Sequence, residues 1–170
     1  VKSIEVDGLE GGLQACVIAI GLPSAGVPKE WDSEYTGGYG VHYIDRLDNI
    51  TAAQVMDRFD LPDNAFAGSK QIKVVSIHWG PDWQWGIPSD HRSFAHSLVN
   101  QGADVVVGHS SHHIKGMEVY KGKFISYGLG DFLNDYEGIV GQGYEAFRDD
   151  LSCLYLPKLD AQSGNVIEVS

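Results

Sequence analysis

The 170-residue chain is 43% apolar and 21% charged, a balance that suits one packed domain over residues 1–170 and excludes a disordered chain. Its formal net charge of −11, with no basic stripe, argues against nucleic acid as a partner. No apolar run reaches the ~20 residues of a membrane span, and the charged-then-apolar order of a signal peptide is missing. The chain opens on Val1 and enters a strand-like segment at once, which reads as a processed product or a fragment. Cys16 and Cys153 each sit among apolar residues and read as small buried strand positions, with no C-x-x-C spacing for zinc or redox work.

In chain order, VKSIEV and LQACVIAIG predict two strands joined by a wide turn, DGLEGG. LPSAGVPKEWDSEYTGGYG then predicts a long ordered loop of the kind that sits over functional sites. TAAQVMDRFD predicts a short helix with Ala52, Val55, Met56 and Phe59 on one face. IKVVSIHWG is a buried strand ending at His78. It precedes a helix, PSDHRSFAHSLVNQG, with Ser89 as N-cap, Phe94, Ala95, Leu98 and Val99 on its apolar face, and Gly102 as stop. ADVVVGH is a second buried strand, MEVYKGKFISYGLG a hairpin turning at Lys121-Gly122, and the tail a final strand pair joined over Gln162 to Asn165. Strand, helix, strand with continuously apolar strands predicts an α/β or α+β layered fold whose sheet is covered on both faces. Ligands in such sheets collect at the carboxyl ends of strands, where both His78 and His109 fall.

Those strand ends carry most of the chemistry. SIHWG supplies His78, and VVGHSSHH supplies His109, His112 and His113. Neutral imidazoles are good ligands for zinc, manganese, iron or nickel, and a rigid sheet fixes the spacing of several donors cheaply. Polar loop residues satisfied by backbone and water are the alternative. A helical continuation of the loop would put His109, His112 and His113 on one face, two for one ion and the third for a second metal or the substrate. Ser110 and Ser111 are candidate donors to phosphate oxygens. Trp79, Trp83 and Trp85 are expected to wall a substrate cleft or to cover the sheet edge. Asp131, Asp135 and Glu137 are candidate site carboxylates, without the spacing of an EF-hand. His91 and His96 read as helix residues that pack or hydrogen-bond, and His42 has no assignment. Neither a G-x-S-x-G elbow nor a P-loop is present.

SIHWGPDW, GADVVVGHSSHHIKGMEVYKGKFISYGLGDFLNDYEG and FRDDL together resemble the CapA (PgsA-like) family of capsule, poly-γ-glutamate, biosynthesis proteins, within the calcineurin-like metallophosphoesterase superfamily. The resemblance covers most of the chain and is densest from Ile77 to Asp150. It implies a layered α/β/β/α sandwich, here incomplete at its N-terminus, with two divalent ions (Mn, Fe or Zn) at the strand ends. It further implies metal ligands at His78, His109 and His112, although G-H-x-x-H replaces the superfamily's G-H-x-H and leaves His113 as the competitor to His112. Asp131 and His113 are the candidate catalytic groups; Ser110, Ser111, Trp79 and Arg92 are the candidate substrate contacts. The family's Gly-Asp, Asn-Leu-Glu and Asn-Asn-His motifs do not occur before His78, so these residues are expected to hold only half a metal site. The implied substrate is an anionic polymer or a phosphoester, met through metals or through Arg92, Lys115 and Arg148. Capsule-synthesis proteins are the implied partners, and a non-catalytic assembly or polymer-binding subunit is the second expectation.

Overall fold

The structure, a computed structural model, describes residues 2–4, 14–60, 71–134, 141, 143–148 and 150–170. Its centre is a six-stranded sheet built from β1 (Lys2–Ile4), β2 (Gln14–Gly21), β3 (Gln71–His78), β4 (Val105–His109), β5 (Met117–Tyr120) and β6 (Lys123–Ser126). The strand order is β1-β2-β3-β4-β6-β5, with β2, β3, β4 and β6 parallel and both edge strands antiparallel. Helix α1 (Asn49–Asp57) leads from β2 to β3, and α2 (Ser89–Asn100) leads from β3 to β4. Two crossovers stepping the same way along a sheet put both helices on one face. There they touch through Ser97, whose hydroxyl donates to the Asn49 side chain, and Gln101, which donates to the Asn49 carbonyl. A separate pair, β7 (Pro157–Leu159) and β8 (Val166–Val169), closes the chain.

Period-two alternation decides which side chains meet the helices. Cys16, Ile18 and Ile20 of β2, Val75 and Ile77 of β3 and Val106 of β4 are buried against Ala52, Val55, Met56, Phe59, Phe94, Ala95 and Leu98 in one cluster. Each of these larger side chains contributes about 1.5–3 kcal/mol on burial. The opposite face behaves differently from the sequence expectation. Val17, Val74, Ser76 and Val107 are only half-buried and Ala19 is exposed, since α1 and α2 both pack on the other face. The expected α/β class stands; the described residues supply a main sheet with its two α-helices in a single layer, beside the separate β7–β8 pair.

Local signals worked unevenly. Asp48 caps α1 by accepting the Thr51 N–H at 2.8 Å, a cap the apolar pattern did not reveal. Ser89 is the first helical residue of α2 rather than its cap; Pro88 holds the cap position and brings no side-chain acceptor. The β5–β6 turn falls on Lys121 (φ 50°) and Gly122 (φ 81°) as expected, a left-handed pair suited to a tight hairpin. Cys16 is buried in β2, but Cys153 is exposed, since residues 151–156 form no strand. The DGLEGG turn lies outside the described residues.

Candidate functional site at the sheet's carboxyl edge

Parallel pairing sets His78 of β3 directly beside His109 of β4. Their Nδ1 atoms lie 3.0 Å apart, with ring centroids at 4.9 Å. At that spacing one ring donates its N–H to the other. On its far side, His109 meets the Ser76 hydroxyl through Nε2 at 3.1 Å. Burial, reinforced by His78, pushes His109 down to about 4, so its ring is neutral at physiological pH.

The segment after His109 does not become helical. Ser110 has φ 121°, a strained value for a side-chain-bearing residue at a cost of about 1–3 kcal/mol, held by its hydroxyl donating to the Gly80 carbonyl at 2.9 Å. The chain instead bends at His112 and His113, and the two side chains diverge. His112 stays at the cleft, where its Nδ1 donates to Asp131 Oδ2 at 2.8 Å. In the neutral form of the ring, that bond places the lone pair on Nε2. His113 points inward and is fully buried. Its Nδ1 donates to the Ile114 carbonyl at 3.2 Å, and its Nε2 accepts the Gln84 N–H at 3.3 Å. Both its nitrogens are engaged by backbone, and His113 is not among the described residues that line the cleft with His112. Burial accordingly holds its pKa below the usual value.

His78, His109, Ser110, Ser111, His112 and Asp131 line one cleft of about 510 Å³, rimmed by Phe132 and Leu133. Ser110 is thus at the site, though its hydroxyl is spoken for. Ser111 is buried and donates to the His113 carbonyl at 2.8 Å. Asp131 orients His112 rather than standing alone as an acid or base.

The remaining candidates lie elsewhere. Trp79 is 2% exposed, so it is core and not a substrate contact. As the neighbour of His78 it points to the other sheet face, where it stacks on His91 at 4.3 Å and donates to the Tyr127 carbonyl at 3.2 Å. Trp83 does reach the cleft margin, with its ring 5.4 Å from His112, and joins Trp85 and Phe147 around His113. Arg92 pairs with Glu118 at 3.5 Å and covers the Tyr127 ring. Arg148 makes a two-pronged pair with Asp150. Lys115 is buried, and burial lowers its pKa. No lysine or arginine of the described residues lines the cleft. Asp135 and Glu137 lie outside the described residues.

Sequence reasoning missed His42. Residues near the end of the long loop run alongside the end of β2, with Gly21 N–H donating to the His42 carbonyl and Ile44 N–H to the Gly21 carbonyl, both at 3.0 Å. His42, His78 and His109 consequently border a second pocket of about 400 Å³. Nothing in a local pattern announces a pairing across twenty-one positions.

Histidines converging at the carboxyl edge of a parallel sheet define a strand-end site in an α/β protein. The chain belongs to the bacterial capsule synthesis protein family PGA_cap, whose model matches residues 5–136. A probable polyglutamine synthesis accessory protein of Mycobacterium tuberculosis is 38% identical over 157 residues, covering 89% of this chain and 38% of the relative. The PGA biosynthesis protein CapA of Bacillus subtilis is 36% identical over 84 residues, 49% of this chain and 20% of that protein. The capsule biosynthesis protein CapA of Bacillus anthracis is 32% identical over 88 residues, with 52% and 20% coverage. The chain thus spans well under half the length of these relatives. No helix of the described residues is long and apolar enough to cross a membrane.

Proposed function

We propose that this chain serves capsule, poly-γ-glutamate, biosynthesis by contributing metal-holding histidines to a phosphoesterase-like hydrolase site. The observation that carries the reading is the His78–His109 pair, two nitrogens 3.0 Å apart at adjoining strand ends. That separation suits two neighbouring ligands of one ion with bonds of about 2.0–2.1 Å. The carboxylate on His112 supports it as well, since metal-binding histidines generally donate their second nitrogen to such a group. His78 and His109 would hold an ion, with His112 facing the same cleft. A divalent ion bound there supplies Lewis-acid polarisation of a phosphoryl or carbonyl oxygen. The chain's own part is to keep His109 neutral by burial, to fix His112 through Asp131 and to present both along a cleft in which the described residues include no cationic side chain. An anionic polymer or phosphoester would therefore rely on the metal for charge neutralisation.

A non-catalytic assembly or polymer-binding role is the second reading. Among the described residues no group of three or more His, Cys, Asp or Glu side chains is placed to hold an ion. The mycobacterial relative is, by name, an accessory protein.

Metal content by plasma mass spectrometry, after incubation with manganese or zinc, separates the two. Near-stoichiometric metal that disappears in His109→Ala is the expected result. Absence of retained metal in the unmodified protein would sink the hydrolase reading, and poly-γ-glutamate binding unchanged by His109→Ala would favour the second.

A further inference from the structure

Between the long loop and α1 lies a pocket of about 460 Å³ whose described lining carries four carboxylates and three cationic side chains. Several of these charges are answered locally: Arg46 pairs with Asp48, and Lys29 lies over the Tyr35 ring at 5.7 Å. Arg58 and Asp32 are different. Arg58 closes α1 and is half-buried, and its guanidinium makes no hydrogen bond or ion pair among the described residues. Asp32 is 8% exposed and held in place by the bridge that pairs it with Val41. Its Oδ1 accepts the Glu34 N–H at 3.1 Å, whereas Oδ2 has no partner among the described residues and is not closed off from solvent. Both charges lie near the His42 ring. Burial and then Arg58 push His42 down to about 4, while Asp32 pulls the other way. A neutral ring thus has an unpaired cation and an unpaired anion beside it, both lining one pocket and not bonded to each other. Partly buried charges left in that state cost free energy until a counter-charge arrives.

The geometry points to a site for an α-amino-acid head group, its carboxylate on Arg58 and its ammonium on Asp32 Oδ2. A guanidinium presents a planar fork that matches a carboxylate. A dicarboxylate without an ammonium would set negative charge against Asp32 and Asp45, and a simple amine would leave Arg58 unanswered. A ligand carrying both charges on one carbon satisfies both residues and adds no net charge. Two sources offer this head group: a free amino acid and the amino end of a γ-linked glutamate chain. A γ-linkage leaves the α-carboxylate free, whereas an α-linked peptide has it tied up in the amide. The chain-end source rests on the capsule reading; the head-group site does not.

Calorimetric titration of the metal-free protein with L-glutamate, γ-glutamylglutamate, α-glutamylglutamate and glutarate tests this. Glutamate is expected to bind, with α-glutamylglutamate and glutarate about tenfold weaker or worse, since each lacks one charge of the head group. γ-Glutamylglutamate binding as tightly as glutamate assigns the chain end, and binding of glutamate alone assigns the free amino acid. Arg58→Gln and Asp32→Asn should each weaken glutamate about tenfold, the worth of one charge-assisted contact. Asparagine retains an acceptor for the Glu34 N–H, and thermal unfolding checks that each variant is folded. No binding of glutamate at millimolar concentration, glutarate or α-glutamylglutamate binding equally well, or unaltered affinity in Arg58→Gln would each overturn the proposal. Since no metal is used, failure here leaves the metal reading intact, and failure of metal retention leaves this site intact.

Discussion

Glu118 of β5 is the hub tying α2 to the sheet. Its Oε1 accepts from His96 Nε2 at 2.9 Å, from the Tyr127 hydroxyl and, at 3.5 Å, from Arg92. Tyr127 in turn offers the carbonyl that holds Trp79, the residue after His78. Burial alone would raise the Glu118 carboxyl, but the Tyr127 and His96 donors outweigh it and hold the group below the usual carboxylate range. Glu118→Gln keeps the shape and an acceptor oxygen while removing the charge. Charge-assisted bonds exceed neutral ones by about 1 kcal/mol each, and the side chain is 28% exposed. After solvent screening the loss is about 1–2 kcal/mol at pH 7. For a chain of this size that is a fall in Tm of about 3–6 °C. The sign of the pH dependence follows from the lowered pKa. The carboxylate's stabilisation is complete above the unfolded value near 4.3 and disappears as pH falls through the folded one. Thermal unfolding of both proteins at pH 7 and at about pH 3 should therefore show a gap that closes in acid. An equal gap at both pH values, or none at pH 7, would refute the role given to the charge.

Three further outcomes follow from the same geometry. Trp79→Ala should cost about 3–5 kcal/mol in urea unfolding, the range for a large buried aromatic, as opposed to a selective loss of ligand binding. His113→Phe should leave metal retention by plasma mass spectrometry at the unmodified level while His112→Ala lowers it; the reverse order would make His113 the ligand. Asp131→Asn should weaken metal affinity in calorimetric titration by about 10–100-fold, the effect of losing the carboxylate behind a ligating histidine. Unchanged affinity would reduce the Asp131–His112 bond to local packing.

The strands, the two helices and both hairpin turns were legible because each rests on a local pattern: apolar runs, a 3.6-residue face, a Lys-Gly turn. His78 and His109 were legible as a pair because parallel strands align their ends. The failures share a cause in side-chain direction. Trp79 follows His78 at the end of β3, so the two face opposite sides of the sheet, whereas the bend at His112 and His113 turns one ring toward Asp131 and the other onto backbone groups. Reading three histidines as one helical face assigned the wrong period to a stretch that Ser110 bends without forming a turn of helix. The half-buried state of Val17, Val74 and Val107 was hidden for another reason: an apolar strand shows that a face prefers burial, not which element lies over it. His42 depended on a contact between distant residues, which no window of neighbouring positions contains.

The pairing of His78 with His109 also has a temporal side. The two residues are 31 positions apart, and the link between their strands contains all of α2. A parallel pair cannot close through a tight turn, so loop-closure entropy must be met before the imidazoles approach. The histidine pair is consequently expected to form late, together with the crossing of α2 over the sheet. A histidine ring signal specific to the pair would serve as a clock for that docking step in refolding, lagging behind the β5–β6 hairpin, whose strands are joined by two residues alone.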